Sequence, residues 1–233
     1  MPKLPRQVKL PARAERTLDK ALDKALEIQR PAVTSYVDAM RRRHPDVAPA
    51  EFVRLLERHY RGAVVGIGGA AGAAAAVPGA GTGVAIASGA AEITAFLSAT
   101  AMYVLALAEV YGVPLRDPQL RRALVLTVLV GESGEAVLAG VAADTPHWAT
   151  VLGRTASKEK IAGINTQLAH LFLTRAGTRQ GALLVGRAIP LGIGAGIGAA
   201  GNAALARSVI ASARRAFGTA PTTFPPRVIE IES

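Results

Sequence analysis

Residues 62–91, GAVVGIGGAAGAAAAVPGAGTGVAIASGAA, form a block with no charged residue between Arg61 and Glu92. Nine of the thirty are Gly and twelve are Ala. Side chains this small cannot fill a core by volume. They can let another backbone, or lipid, approach closely. Residues 188–206, AIPLGIGAGIGAAGNAALA, repeat the character, with Gly192, Gly194, Gly196, Gly198 and Gly201. Two such blocks in one chain predict helices packed backbone to backbone.

The chain of 233 residues suits one domain. Half the residues are hydrophobic but only 4% are aromatic, and mean hydropathy is +0.29. That value lies between an ordinary soluble domain and a polytopic transporter. The apolar content is Ala, Val and Leu, which favours closely packed helices. Net charge is +10. Residues 1–61 hold 14 Lys and Arg against 8 Asp and Glu, so +6 of it lies there. A basic, amphipathic lead into an uncharged block points to an anionic membrane surface. Nucleic acid is the rival partner, but no recognition motif supports it. There is no Cys, which excludes disulfides and thiolate chemistry and fits a reducing compartment. The first apolar run begins near residue 62, so no cleavable leader is expected.

Residues 1–11 carry three prolines among Lys and Arg and read as a disordered basic lead. From Ala12 a helical pattern begins, with Leu18 and Leu22 on one side and Asp19, Lys20, Asp23 and Lys24 opposite. Pro31 opens a second helix with Tyr36, Val37 and Met40 as its stripe. Arg41, Arg42 and Arg43 crowd its end, where cations suit the helix dipole or meet lipid headgroups. Pro49 fits a first helical position, and the helix after it runs into the first block. Pro78 marks a turn between two helical arms. The second arm, from about residue 84 to 111, has a bulky face and a small face, so it is expected to be central. Gly112 fits a left-handed cap and Pro114 a stop. Asp117-Pro118 caps the next helix, which GESGE at 131–135 interrupts. Residues 144–157 read as a polar loop holding Trp148. A helix at 158–175 is followed by a flexible link at 176–181 and by the second block, which runs into a helix ending at Phe217. Residues 218–233 read as a disordered tail.

In this order and spacing, residues 50–217 resemble the EcsC protein family. The resemblance is carried by the block at 62–91, the acidic Glu92 after it, and the helix ending in Tyr111-Gly112. It continues with the Ala188-Ile189-Pro190 entry into GIGAGIGAAGNAAL and the helix to Phe217. The family commonly has Asp where this chain has Glu92, so only a weak role is carried to that carboxylate. The resemblance implies a helical, membrane-associated protein, some of whose relatives are encoded beside transporter genes and linked to secretion. It implies no catalytic residue.

Chemical motifs are sparse. Gly196-x-Gly198-x-x-Gly201 matches a dinucleotide fingerprint literally, and the sequence from Gly66 matches its G-x-G-x-x-A variant. Neither follows a strand pattern, which the fingerprint needs. GESGE lacks the small fifth residue of a nucleophile elbow. The histidines His44, His59, His147 and His170 lack metal-ligand spacing. Glu92 and Glu109 share one apolar helix, so each must be paired, protonated or reached by solvent. Arg187 and Arg207 are candidate partners, and Glu92 is the candidate functional carboxylate.

The sequence therefore predicts an all-α protein: a basic lead at 1–11, one helical domain at 12–217 and a tail at 218–233. Gly66, Gly68, Gly72, Gly192, Gly194, Gly196, Gly198 and Gly201 are its expected helix-packing positions. No cofactor, metal or catalytic residue is expected. The expected role is a non-enzymatic accessory or scaffold protein, bound peripherally or shallowly to anionic lipid on the cytoplasmic face of the membrane, with its N-terminus cytoplasmic. The alternative is a soluble helical domain that holds an apolar or lipid-like ligand between its helices.

Overall fold

The computed structural model describes residues 20, 23–25, 30–75, 82–114, 117–138, 147–149, 158–187 and 193–225; of these, 30, 71–75, 82–90, 158, 175–187 and 193–198 are described as backbone alone. The basic lead, most of the first amphipathic segment, the turn at Pro78 and Gly192 lie outside the described residues.

The chain is all-α. The helices are α1 (Arg30–Arg43), α2 (Pro49–Ala75), α3 (Thr82–Val110), α4 (Pro118–Val130), α5 (Glu132–Leu138), α6 (Lys158–Arg187) and α7 (Ile193–Phe217). No strand occurs among the described residues.

The starts and stops follow local chemistry. Pro49 opens α2, where the missing N–H costs nothing. Asp117 caps α4 by accepting from the Gln119 backbone N–H at 2.7 Å, with Pro118 in the first turn. Gly112 takes φ 66° after α3, the left-handed cap its position demands. Gly131, at φ 69°, is the whole break between α4 and α5. The interruption expected over GESGE is thus a single residue, because Glu132 at once resumes the helix.

α3 is the central helix. Tyr103 to Ala108 are buried without interruption, and Leu97, Thr100 and Ala101 extend the buried face. A helix apolar on all sides belongs inside. α4 is equally central, with Ala123 to Val128 all buried. Among the described residues one stretch, Ala91–Val110, is long and apolar enough to cross a membrane, and more than half of it is buried in the fold.

The most extensive helix pair is α2 with α7. It is antiparallel: Glu57 meets Arg214, and seven residues further along α2 the Val64 carbonyl meets Asn202. The α7 face that packs is Asn202, Ala206, Val209 and Ala213, at helical spacing and all buried. The small residues on this described face of α7 are Ala206 and Ala213.

Three expectations are corrected. The link at 176–181 is part of α6, since isolated glycines such as Gly177 and Gly181 weaken a helix without ending it. Trp148 is core, at 7% exposure, although its flanking sequence is polar. Residues 218–225 of the expected tail pack on the domain, and 226–233 lie outside the described residues. Gly218 turns the chain at φ 72°, Tyr111 donates its hydroxyl proton to the Gly218 carbonyl at 3.0 Å, and Phe224 stands edge-on to Phe52 at 5.5 Å. One aromatic anchor and stiff prolines suffice to order a segment whose composition reads as disordered.

Candidate functional site

Antiparallel pairing of α2 and α7 has an electrostatic result. The first half of α2 carries Arg54, Arg58 and Arg61 at i, i+4, i+7, one side of a helix. The second half of α7 carries Arg207, Arg214 and Arg215. The two halves run alongside each other and line a groove of about 620 Å³, with Ile210 and Ala211 between the α7 arginines. Six arginines and one carboxylate, Glu57, face this space.

Glu57 is buried, at 7% exposure. A buried carboxylate requires a partner with good geometry. Arg214 supplies it bidentately: Nε donates to Oε1 at 2.7 Å and Nη2 donates to Oε2 at 2.6 Å. These bonds and the adjacent negative charge hold the Arg214 guanidinium above its ordinary pKa. The Arg214 side chain as a whole is 64% exposed, so it is fixed by the ion pair yet open to solvent. Arg215 Nε donates to Glu135 Oε1 at 3.2 Å. Arg54, Arg58, Arg61 and Arg207 are exposed and have no acidic partner among the described residues.

Behind the ion pair lies Tyr103, stacked on Tyr60 with ring centroids 4.6 Å apart. Burial, and secondarily Glu57, pushes the Tyr103 hydroxyl far above the usual phenol range. The Tyr103 phenol therefore stays neutral, and the charge is carried by the residues that line the groove.

The second polar node joins three helices. Asn202 on α7 donates through Nδ2 to the Val64 carbonyl of α2 at 3.1 Å and to Glu92 Oε1 of α3 at 3.3 Å. Glu92 is half-buried. It is thus a partnered carboxylate at the entry to the uncharged helices, and the Asn202 amide is one of its partners. Glu109, half-buried near the far end of α3, makes no ion pair among the described residues.

The other sequence candidates fall apart spatially. Arg41 lies over the Phe224 ring, 4.0 Å from its centroid, while Arg42 and Arg43 are exposed. Phe224 in turn covers Phe52 in the first turn of α2, so Arg41 marks the end of α2 opposite the uncharged half. The arginines beside the uncharged helices are those of the groove. Gly68 is buried, and Gly201 is half-buried. Gly66 is exposed, and a Cβ there meets nothing within 4 Å among the described residues. The surroundings of Gly72, Gly194, Gly196 and Gly198 lie outside the described side chains. Both dinucleotide-like matches fall inside continuous helices, α2 and α7, where no strand-turn-helix phosphate loop can form.

Sequence reading missed the groove. Its signal was present on α2 as the i, i+4, i+7 arginines ending at the border of the first block, and on α7 as Arg207 and Arg214 beginning at the border of the second.

The molecule is thus an all-α helical domain with a basic groove at the root of its uncharged helices. No protein-family model, curated protein or solved structure matches the chain.

Proposed function

We propose that this is a membrane-associated helical accessory or scaffold protein, docking on anionic lipid at the cytoplasmic face with its uncharged helical end. One observation carries the reading. The antiparallel α2–α7 pair gathers the uncharged half of α2 and the uncharged half of α7 at one end and places six arginines next to them. The start of α3 joins that end, because α2 and α3 pack together and meet through Tyr60 and Thr100. The uncharged run of α2, residues 62–75, is roughly 20 Å long as a helix, short of the roughly 30 Å of a hydrocarbon core. Such an end enters the interface, and arginines at its base lie at headgroup depth, where long cationic side chains settle. The EcsC-like order of residues 50–217 supports the same reading and adds a link to transport or secretion.

Vesicle flotation tests it. The protein should float with phosphatidylcholine vesicles containing phosphatidylglycerol, and float less as salt rises, because exposed charges are screened. In cells it should be recovered with membranes and be released in part by carbonate. Recovery wholly in the soluble fraction, with no flotation at low salt, would sink the proposal.

A further inference from the structure

We propose that the groove between α2 and α7 binds a phosphomonoester group, carried by a lipid headgroup or by a small phosphorylated molecule. Arg54, Arg58, Arg61 and Arg207 would hold it around the fixed guanidinium of Arg214. The lipid form of this inference rests on the membrane reading above; the phosphate chemistry does not.

The charge balance comes first. Glu57 is consumed by Arg214, and Arg215 is engaged by Glu135. Four guanidinium groups remain around one groove of about 620 Å³, inside the roughly 300–1,000 Å³ typical of small-ligand sites. Like charges at i, i+4 on a helix repel, so Arg58 beside Arg54 opposes folding. The six side chains are exposed or nearly so and add little to the core. An arrangement that is unfavourable for the empty protein becomes favourable with an anion in it.

Geometry then narrows the anion. A guanidinium has five N–H donors in a planar fork that fits phosphate oxygens bidentately. Arg214 uses one donor of Nε and one of Nη2 on Glu57. Its three remaining N–H groups are held in place by a buried carboxylate and directed away from it. That is a preorganised donor set, with its orienting partner already desolvated. Four further arginines around it exceed what a monoanion can use. A phosphomonoester carries a charge of about −1.5 to −2 near neutrality, with its second ionisation near pH 6, and offers three strong acceptor oxygens. A nucleic acid strand needs a basic track that continues along its backbone, whereas here the basic surface stops at Gly62 on α2 and at Ala206 on α7, where the uncharged runs begin.

The test uses the full chain and two probes. Inorganic pyrophosphate is titrated calorimetrically. Phosphatidylcholine vesicles are prepared with phosphatidic acid, or with phosphatidylglycerol at matched total charge. The variants are Arg58→Gln with Arg207→Gln, two exposed positions, and Arg42→Gln with Arg43→Gln as control, with thermal midpoints reporting folding. Phosphatidic acid vesicles should bind about tenfold tighter than charge-matched phosphatidylglycerol, the value of one added charge-assisted hydrogen bond. The preference should fade as pH falls from about 7.5 to about 5, through the second phosphate ionisation; arginine does not titrate there. The groove variant should lose the preference and the control should keep it.

Pyrophosphate binding that the groove variant abolishes, without any preference among vesicles, would keep the phosphate site and assign it to a soluble ligand. Equal binding to both anionic vesicles, no pH step and no pyrophosphate heat would overturn the site while leaving the membrane reading standing. No binding to either probe would overturn both. Tight binding of an oligonucleotide, lost in the same variant and without any phosphomonoester preference, would overturn the inference in favour of nucleic acid. The pH step is read on the unaltered protein, so the outcome does not depend on a variant folding.

Discussion

Tyr60 and Tyr103 lie face to face, yet their hydroxyls are placed differently. The Thr100 hydroxyl gives its one proton to the Phe96 carbonyl at 2.8 Å, so Tyr60 must be the donor in its 2.8 Å bond to Thr100. The Tyr103 hydroxyl is buried with no hydrogen-bond partner among the described residues. A buried hydroxyl left unpaired costs about 1–3 kcal/mol, and a made bond contributes about 1 kcal/mol. Tyr103→Phe should therefore stabilise the protein by about 1 kcal/mol, and Tyr60→Phe should destabilise it by a similar amount. Urea unfolding of the two variants gives the signs; equal signs would mean that the two hydroxyls are equivalent. Both phenols are raised by burial. The folded state thus keeps protons that the unfolded chain releases near pH 10. Their neutral forms contribute full stability below that pH, and stability falls as pH rises above it. Tyr103→Phe should make this alkaline loss shallower, which the unfolding midpoint measured from about pH 9 to 11 reports.

Glycines in the helices divide by what stands opposite them. At Gly66 a methyl group enters open space. Gly66→Ala should raise stability by up to about 1 kcal/mol through helix propensity alone. At Gly134 a Cβ would lie 2.9 Å from the Thr127 carbonyl oxygen, a backbone atom that cannot turn aside. Gly134→Ala should push α5 off α4 and cost about 1–3 kcal/mol. Thermal midpoints of this pair test whether Cβ clearance decides a glycine's worth; two changes of one sign would reject it. The same division explains what a linear reading can see. α3 was legible because both its faces are apolar over many turns. The apolar run of α4 was legible as a helix, but its centrality was not, since Leu120 and the flanking arginines resemble an ordinary amphipathic start. The groove was illegible for a different reason. Arg58 and Arg207 stand 149 positions apart, and each stripe alone reads as a solvated face. Only the pairing of α2 with α7 turns two solvated faces into one site. Gly66 faces no described neighbour: spacing identifies a stripe but not the side on which a neighbour lies.

At the scale of the whole molecule, residues 218–225 act as a strap across the ends of α1, α2 and α3. Phe224 is half-buried between Phe52 and the Arg41 guanidinium, and Pro225 closes on Gly112. Phe224→Ala should cost about 1–2 kcal/mol, less than the roughly 3–5 of a fully buried Phe. Arg41→Gln should cost about 0.5–1 kcal/mol, the worth of an exposed cation–π contact. Denaturant midpoints measure both, and two unchanged midpoints would remove the strap from the cooperative fold. The α2–α7 pair has a further consequence, in the timing of synthesis. α2 ends at residue 75 and α7 begins at residue 193, so 118 residues (193 − 75) must be added before the pair can close. At about 5–20 residues per second this takes on the order of 10 s. Throughout that interval the nascent α2 should show its uncharged face with no α7 to cover it. Whatever shelters that face, a chaperone or a bilayer, acts before Arg207, Arg214 and Arg215 have been translated, so the groove should come into being only after that face has found its cover.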